Sequence, residues 1–201
     1  MSIHCYSKSD LMNENSFFKI RVYFTGIVTI AIWMLLAWYH FHGGVPSHHI
    51  LAREDLPEIS NGWGGLLLPL VSWFLLYRVH QRLFKIKLEK SEVIKFPKEV
   101  LYGFAGALVF GIMLSIFFTL GLSDIPFYMM IGLLLSALFL PIYRAECLLG
   151  FIIGMTFTFG PVLPIGIGSI LVLIGAAIYL LVRPVILFVI SKLWQILPKR
   201  A

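Results

Sequence analysis

Long apolar segments separated by short polar ones dominate the pattern of this chain. The first apolar segment covers residues 17–41, and its central part, residues 22–39, carries no charged side chain. About 20 consecutive apolar residues in a helix are enough to cross the hydrocarbon core of a bilayer. The pattern therefore predicts a membrane-spanning helix at this position, rather than a helix in the core of a soluble domain.

Five further apolar segments predict five more spans. They cover residues 63–77, 100–122, 125–143, 146–159 and 165–182. We therefore expect a six-span domain over residues 17–183, preceded by a polar tail over residues 1–16. The remaining segment, 184–201, follows Arg183-Pro184. We predict that it is a helix ending in a basic tail, which either continues the sixth span beyond a kink or lies along the membrane surface.

The amino-acid composition agrees with this reading. Hydrophobic residues make up 59% of the 201 residues and charged residues only 13%, about half the share found in soluble domains. A soluble chain of this length has too small a core to bury so much apolar surface. The predicted fold class is an all-α integral membrane protein with about six transmembrane helices in one compact bundle.

The distribution of positive charge predicts the orientation. Every Lys and Arg except Arg53 falls on the side of the bundle that also holds both termini. Because positive loops stay in the cytoplasm, we expect both termini there, with an outer loop at 42–62 and a basic cytoplasmic loop at 78–99. The short loops favour a plasma membrane of the bacterial inner type.

The formal net charge of +6 is explained by this orientation, so no nucleic acid is expected as a partner. The predicted partners are the lipid bilayer and either further copies of this chain or another membrane protein.

Small residues recur at every fourth position in three of the predicted spans. This spacing lets helix backbones approach closely and predicts tight helix packing. The alternative is that the small residues line a path for a substrate, as in a transporter or channel subunit. The stripes are Gly103, Ala107, Gly111 and Ser115 in the third span, Gly132 and Ser136 in the fourth, and Gly150, Gly154 and Thr158 in the fifth.

The outer loop 42–62 carries the first candidate site. Its residues His42, His48 and His49 are suited to a divalent metal such as zinc, because imidazole is a common zinc ligand. Their spacing is not diagnostic, since adjacent histidines diverge in most backbones.

Two other chemistries use the same loop. Ser47, His48, His49 and Asp55 offer a nucleophile, a base and an orienting carboxylate for catalysis. Arg53 and Asn61 offer ligand contacts to a lipid head group or a small molecule. The alternative is an ordinary solvated loop with interfacial histidines.

Glu146 is the second candidate. It opens the fifth span beside Arg144, which predicts an interfacial ion pair between these two residues; the alternative is a ligand-binding or proton-relay carboxylate. Three functions therefore stay open: an outer-loop site acting on a lipid head group or small molecule, a transporter or channel subunit that uses Glu146 and the small-residue stripes, and a non-catalytic membrane scaffold. Whether the protein is an enzyme is left undecided.

Overall fold

The computed structural model describes residues 14–42, 47–49, 58–90, 98–122 and 124–196. Nearly all of this backbone is helical, and the rest forms turns and one short antiparallel ladder. In chain order the elements are α1 (Glu14–Phe41), β1 (Ser47–His49), β2 (Glu58–Ser60), a 3₁₀ turn (Asn61–Trp63), α2 (Gly64–Lys90), α3 (Lys98–Thr119), α4 (Asp124–Ser136), α5 (Ala145–Phe159), α6 (Val162–Ala177), a π-helical turn (Ile178–Val182) and α7 (Arg183–Ile196).

Three helical segments are long and apolar enough to cross a membrane. They are Ser16–Phe41, Lys98–Thr119 and Val162–Lys192. Helices α4 and α5 are also apolar but have only 13 and 15 residues, fewer than the usual length of a span. The helical fold is confirmed and is compatible with membrane insertion, whereas the count of six spans stays a prediction.

Helix α4 ends earlier than the sequence pattern indicates. The predicted span 125–143 is helical only to Ser136, and turns lead from there to the start of α5. Pro141 lies within these turns. A proline has no N–H to donate and disfavours helical geometry in the residue before it. The helix therefore ends ahead of Pro141, although apolar residues continue through the turns.

The helical path from α6 to α7 has no intervening loop. The π-helical turn joins them, and Arg183 donates its backbone N–H to the carbonyl of Ile178, five residues earlier. A proline ring in a regular α-helix clashes with the carbonyl four residues before it. The widened turn ahead of Pro184 relieves that clash, so the helix passes through this position.

Helix α5 lies at the centre of the fold, between α3, α2 and α6. One core cluster joins it to α1 and α2, and a second joins it to α3 and α6. Its central position explains why most of its residues are buried although the chain is rich in exposed apolar side chains. The members of the first cluster are Val28, Ile32, Leu68, Leu75, Leu149 and Ile152, and those of the second are Leu114, Phe151, Met155 and Leu171.

Glycines set the close approach of α3 and α5. A Cβ on Gly154 would lie 2.5 Å from the carbonyl oxygen of Leu108, and a Cβ on Gly150 would overlap the carbonyl oxygen of Phe104. The small-residue stripes of the third and fifth predicted spans therefore pack against each other, as their spacing predicts. In α4, by contrast, a Cβ on Gly132 would meet no described atom within 4 Å, so this residue is not at a tight helix contact.

Candidate functional site

A buried ion pair links α2 to α5. Arg82 donates a hydrogen bond from Nη2 to Oε1 of Glu146 over 2.8 Å, and the Glu146 side chain is only 3% exposed. The sequence pattern predicted Arg144 as the partner of Glu146, and that prediction is wrong. Arg144 precedes α5 with an extended backbone, and its guanidinium lies instead 3.7 Å from a carboxylate oxygen of Glu99.

The second carboxylate oxygen of Glu146, Oε2, is buried and has no hydrogen-bond partner among the described residues. An ionised carboxylate can accept about four hydrogen bonds, and leaving a buried acceptor unpaired costs about 1–3 kcal/mol. Glu146 therefore retains acceptor capacity for a donor on another molecule.

Glu146 lines a cavity of about 700 Å³ between α3, α4, α5 and α6. This volume lies within the range of about 300–1,000 Å³ found for small-molecule sites. The charged lining residues Glu99, Arg144 and Glu146 all come from the first residues of α3 and α5 or from just before them, so they belong to one end of the cavity. The apolar lining includes Ala107, Phe110, Leu133, Leu140, Leu148, Phe151, Leu171 and Val172.

Gly103 allows Glu146 to occupy this position. A Cβ on Gly103 would lie 3.2 Å from Cγ of Glu146 and 3.3 Å from Sγ of Cys147. Both distances are shorter than ordinary van der Waals contacts, so a side chain on Gly103 would displace its neighbours. Gly106 lines the same cavity one turn later, and there an added Cβ would meet no described atom within 4 Å.

An aromatic and cationic group lies at the same end of the cavity. Tyr179, which lines the cavity, is part of the π-helical turn, and its ring centroid lies 5.5 Å from that of Tyr143. The guanidinium carbon of Arg183 lies 4.5 Å from the Tyr179 centroid. Since π-helical turns occur frequently at functional sites, this position agrees with a role for the cavity.

The structure describes the outer loop only in part. Strand β1 pairs with β2 in antiparallel register, with Ser47 opposite Ser60, His48 opposite Ile59 and His49 opposite Glu58. This ladder brings the backbone of the predicted loop site to the segment that leads into α2. Arg53 and Asp55 lie outside the described residues, as do the side chains of Ser47, His48, His49 and Asn61, so the roles assigned to them stay predictions.

His42 is the one predicted metal ligand whose side chain is described. Its ring stacks on Trp38 at a centroid distance of 3.8 Å, and its Nδ1 lies 2.9 Å from the carbonyl oxygen of Trp38. Within the described ranges no group of three or more His, Cys, Asp or Glu side chains is arranged to hold a metal ion. The metal site predicted at His42, His48 and His49 depends on residues outside those ranges and is not tested.

The chain was compared with models of protein families, with curated proteins and with solved structures, and none of them matches it.

Proposed function

We propose that this protein is a six-span membrane protein, with both termini in the cytoplasm, that binds an amphiphilic small molecule in the cavity between α3, α4, α5 and α6. Glu146 accepts a hydrogen bond from the polar group of that molecule. The observation that carries this proposal is that Oε2 of Glu146 is buried without a hydrogen-bond partner among the described residues, on a residue that lines an otherwise mostly apolar cavity of about 700 Å³.

The exposed surface supports membrane insertion. Large apolar side chains on several helices are mostly exposed, including Trp33 on α1, Phe157 on α5 and Leu173 on α6. Soluble monomers rarely expose contiguous apolar surface of this kind, whereas a bilayer solvates it. The three segments of sufficient length agree with this environment, and the proposed six-span topology would place every Lys and Arg except Arg53 on one side of the membrane.

The charges around the cavity favour a ligand that donates a hydrogen bond. Arg82 already balances the charge of Glu146, and Arg144 lies beside Glu99. Among the described lining residues, the buried side-chain atom without a hydrogen-bond partner is Oε2 of Glu146, an acceptor that suits a hydroxyl or amine and offers no hydrogen bond to a carboxylate. The apolar walls suit an alkyl or similarly apolar body.

This arrangement favours the transporter or channel reading of the sequence over chemistry in the outer loop. Ligand binding within a helix bundle is the first step that a transporter requires, and buried ionisable residues in membrane segments commonly mark substrate or ion pathways. Six spans are few for a secondary transporter, whose folds are often built from repeats. We therefore propose a homo-oligomer as the form that would carry out transport.

The binding proposal is tested with radiolabelled 1-dodecylamine and 1-dodecanol as probes and dodecanoate as the anionic comparison. The protein is reconstituted in lipid nanodiscs, and binding to empty nanodiscs is subtracted. We expect saturable binding of the amine, the alcohol or both, with dodecanoate binding more weakly. Glu146→Met removes the acceptor at nearly constant size and should weaken binding by about tenfold to a hundredfold, because a hydrogen bond to a charged group contributes about 1.5–3 kcal/mol.

Asp124→Asn is the matched control, since it also removes one carboxylate but at an exposed position at the start of α4 that does not line the cavity. It should bind the probes as the parent does. Equal binding by the folded Glu146→Met variant, or the absence of saturable binding by the folded parent, would overturn the proposal.

The orientation is tested separately by fusing green fluorescent protein or alkaline phosphatase to each terminus and inserting the phosphatase into the loop 42–62 in a bacterial host. Fluorescence at both termini and phosphatase activity from the loop alone are expected. Phosphatase activity at either terminus would contradict the proposed topology.

A further inference from the structure

Arg21 is held on an aromatic surface formed by α2. Its guanidinium carbon lies 3.6 Å from the ring centroid of Trp73 and 5.1 Å from that of Tyr77. A cation over an aromatic face is attracted by the negatively polarised face of the ring. At 3.6 Å the Arg21 guanidinium is in close contact with the indole, which restricts its movement and favours one placement of its N–H donors.

Arg21 differs from Arg82 in its charged neighbours among the described residues. Within the described residues no carboxylate pairs with Arg21 and no acceptor receives a hydrogen bond from it, and its Nε is buried and unpaired. The residue as a whole is only half-buried, so a molecule from outside can approach the guanidinium. Its planar fork of donors matches the oxygens of a phosphate or carboxylate.

The position of Arg21 along α1 indicates where such an anion would come from. Arg21 lies in the second turn of the candidate span Ser16–Phe41, close to the end that the proposed topology places at the cytoplasmic face. Phe18 packs edge-on against Trp73 at 6.1 Å and is exposed, as is Tyr77. Trp and Tyr side chains are enriched at the level of lipid head groups, which agrees with the position of Trp73 and Tyr77 beside Arg21.

We propose that Arg21, seated on Trp73 beside Tyr77, binds the phosphate of an anionic phospholipid at the cytoplasmic face of the membrane. This inference rests on the proposed membrane insertion but not on the cavity, because Arg21, Trp73 and Tyr77 do not line it. The lipid would stay bound beside α1 and α2, and it would be distinct from the ligand of Glu146.

Native mass spectrometry of the detergent-solubilised protein tests the proposal, with phosphatidylglycerol as the anionic probe and phosphatidylcholine and inorganic phosphate as comparisons. We expect the parent to retain one phosphatidylglycerol in preference to phosphatidylcholine, and millimolar inorganic phosphate not to displace it. Arg21→Gln should weaken that binding by about tenfold, since a charge-assisted hydrogen bond to phosphate is lost. Trp73→Leu should weaken it by a smaller factor.

Arg78→Gln is the matched control, because it removes an exposed arginine from the same end of α2 without touching the aromatic surface. It should bind phosphatidylglycerol nearly as the parent does, and Glu146→Met should do so as well. Parent-like lipid binding by folded Arg21→Gln would overturn the proposal, as would equal retention of phosphatidylcholine. Displacement of the lipid by inorganic phosphate would show a site for free phosphate instead and would also overturn it.

Discussion

Arg82 on α2 and Glu146 on α5 are 64 residues apart in the chain and are joined by a 2.8 Å hydrogen bond. The pair connects the helix that carries the basic segment to the central helix of the fold. The other oxygen of Glu146, Oε2, is buried and has no hydrogen-bond partner in the part of the chain that the structure describes. This contact thus joins α2 to α5 and also holds a carboxylate that lines the cavity.

Arg82→Gln should destabilise the protein by about 3 kcal/mol, because it leaves the carboxylate of Glu146 buried without a cation. The matched comparison is Arg144→Gln, which removes the more exposed pair with Glu99 and should cost less than about 1 kcal/mol. The free energy of unfolding in mixed detergent micelles measures both. The double variant Arg82→Gln/Glu146→Gln removes both charges and should recover part of the loss. Similar losses for the two single variants would show that Glu146 is not effectively buried.

Alanine at Gly150 or Gly154 should destabilise the contact between α3 and α5 by about 1–3 kcal/mol, since the added methyl group would meet the backbone of α3. Gly132→Ala in α4 is the matched control. It adds the same group to a helix interior where no described atom lies within 4 Å, and it should be neutral or stabilise by up to about 1 kcal/mol through helix propensity. Thermal unfolding followed by size-exclusion chromatography distinguishes these outcomes. Equal melting temperatures for Gly154→Ala and Gly132→Ala would contradict the proposed role of the small-residue stripes.

Gly103→Ala should weaken binding of the dodecyl probe that the parent binds, because its methyl group would displace Cγ of Glu146 or Sγ of Cys147. We expect a reduction of several-fold, smaller than for Glu146→Met, since the carboxylate is moved rather than removed. Gly106→Ala, one turn later, adds the same methyl group to the cavity wall without contacting Glu146. If both alanine variants reduce binding equally, the effect reflects lost volume rather than the position of the carboxylate.

The outer-loop prediction is tested by metal content. If His42, His48 and His49 bind a divalent metal, elemental mass spectrometry of the purified protein should find near-stoichiometric metal that the His48→Ala/His49→Ala variant lacks. The measurement requires chromatography showing that both proteins are folded. A folded parent without metal would exclude tight binding and would leave these histidines as loop residues.

Sequence pattern alone was sufficient for the helical fold and for the approximate course of most helices. A long apolar segment is expected to form a helix where water is excluded, because a helix satisfies its own backbone hydrogen bonds. The pattern was less reliable at helix ends. It extended α4 past Ser136, because apolar side chains continue through the turns around Pro141.

The spacing of small residues also predicted close packing but not its partners. Gly103, Gly150 and Gly154 belong to stripes in which small residues recur at every fourth position. The structure packs the stripe of α3 against that of α5. The stripe of α4 has the same spacing at Gly132, yet no described atom lies within 4 Å of a Cβ added there. Spacing describes one face of one helix, whereas packing depends on which helix that face meets.

The sequence by itself therefore determined that this chain is helical, that it is apolar enough for a membrane, and that Glu146 is an unusual residue at the start of an apolar helix. Only the tertiary structure shows that Glu146 pairs with Arg82, that Arg144 lies beside Glu99, and that residues of four helices line a cavity. The physical reason is that local pattern fixes backbone hydrogen bonding and the apolar face of each helix. The partner of a buried charge depends on helices distant in the chain, and no local signal distinguished Arg82 among the cations of the basic segment.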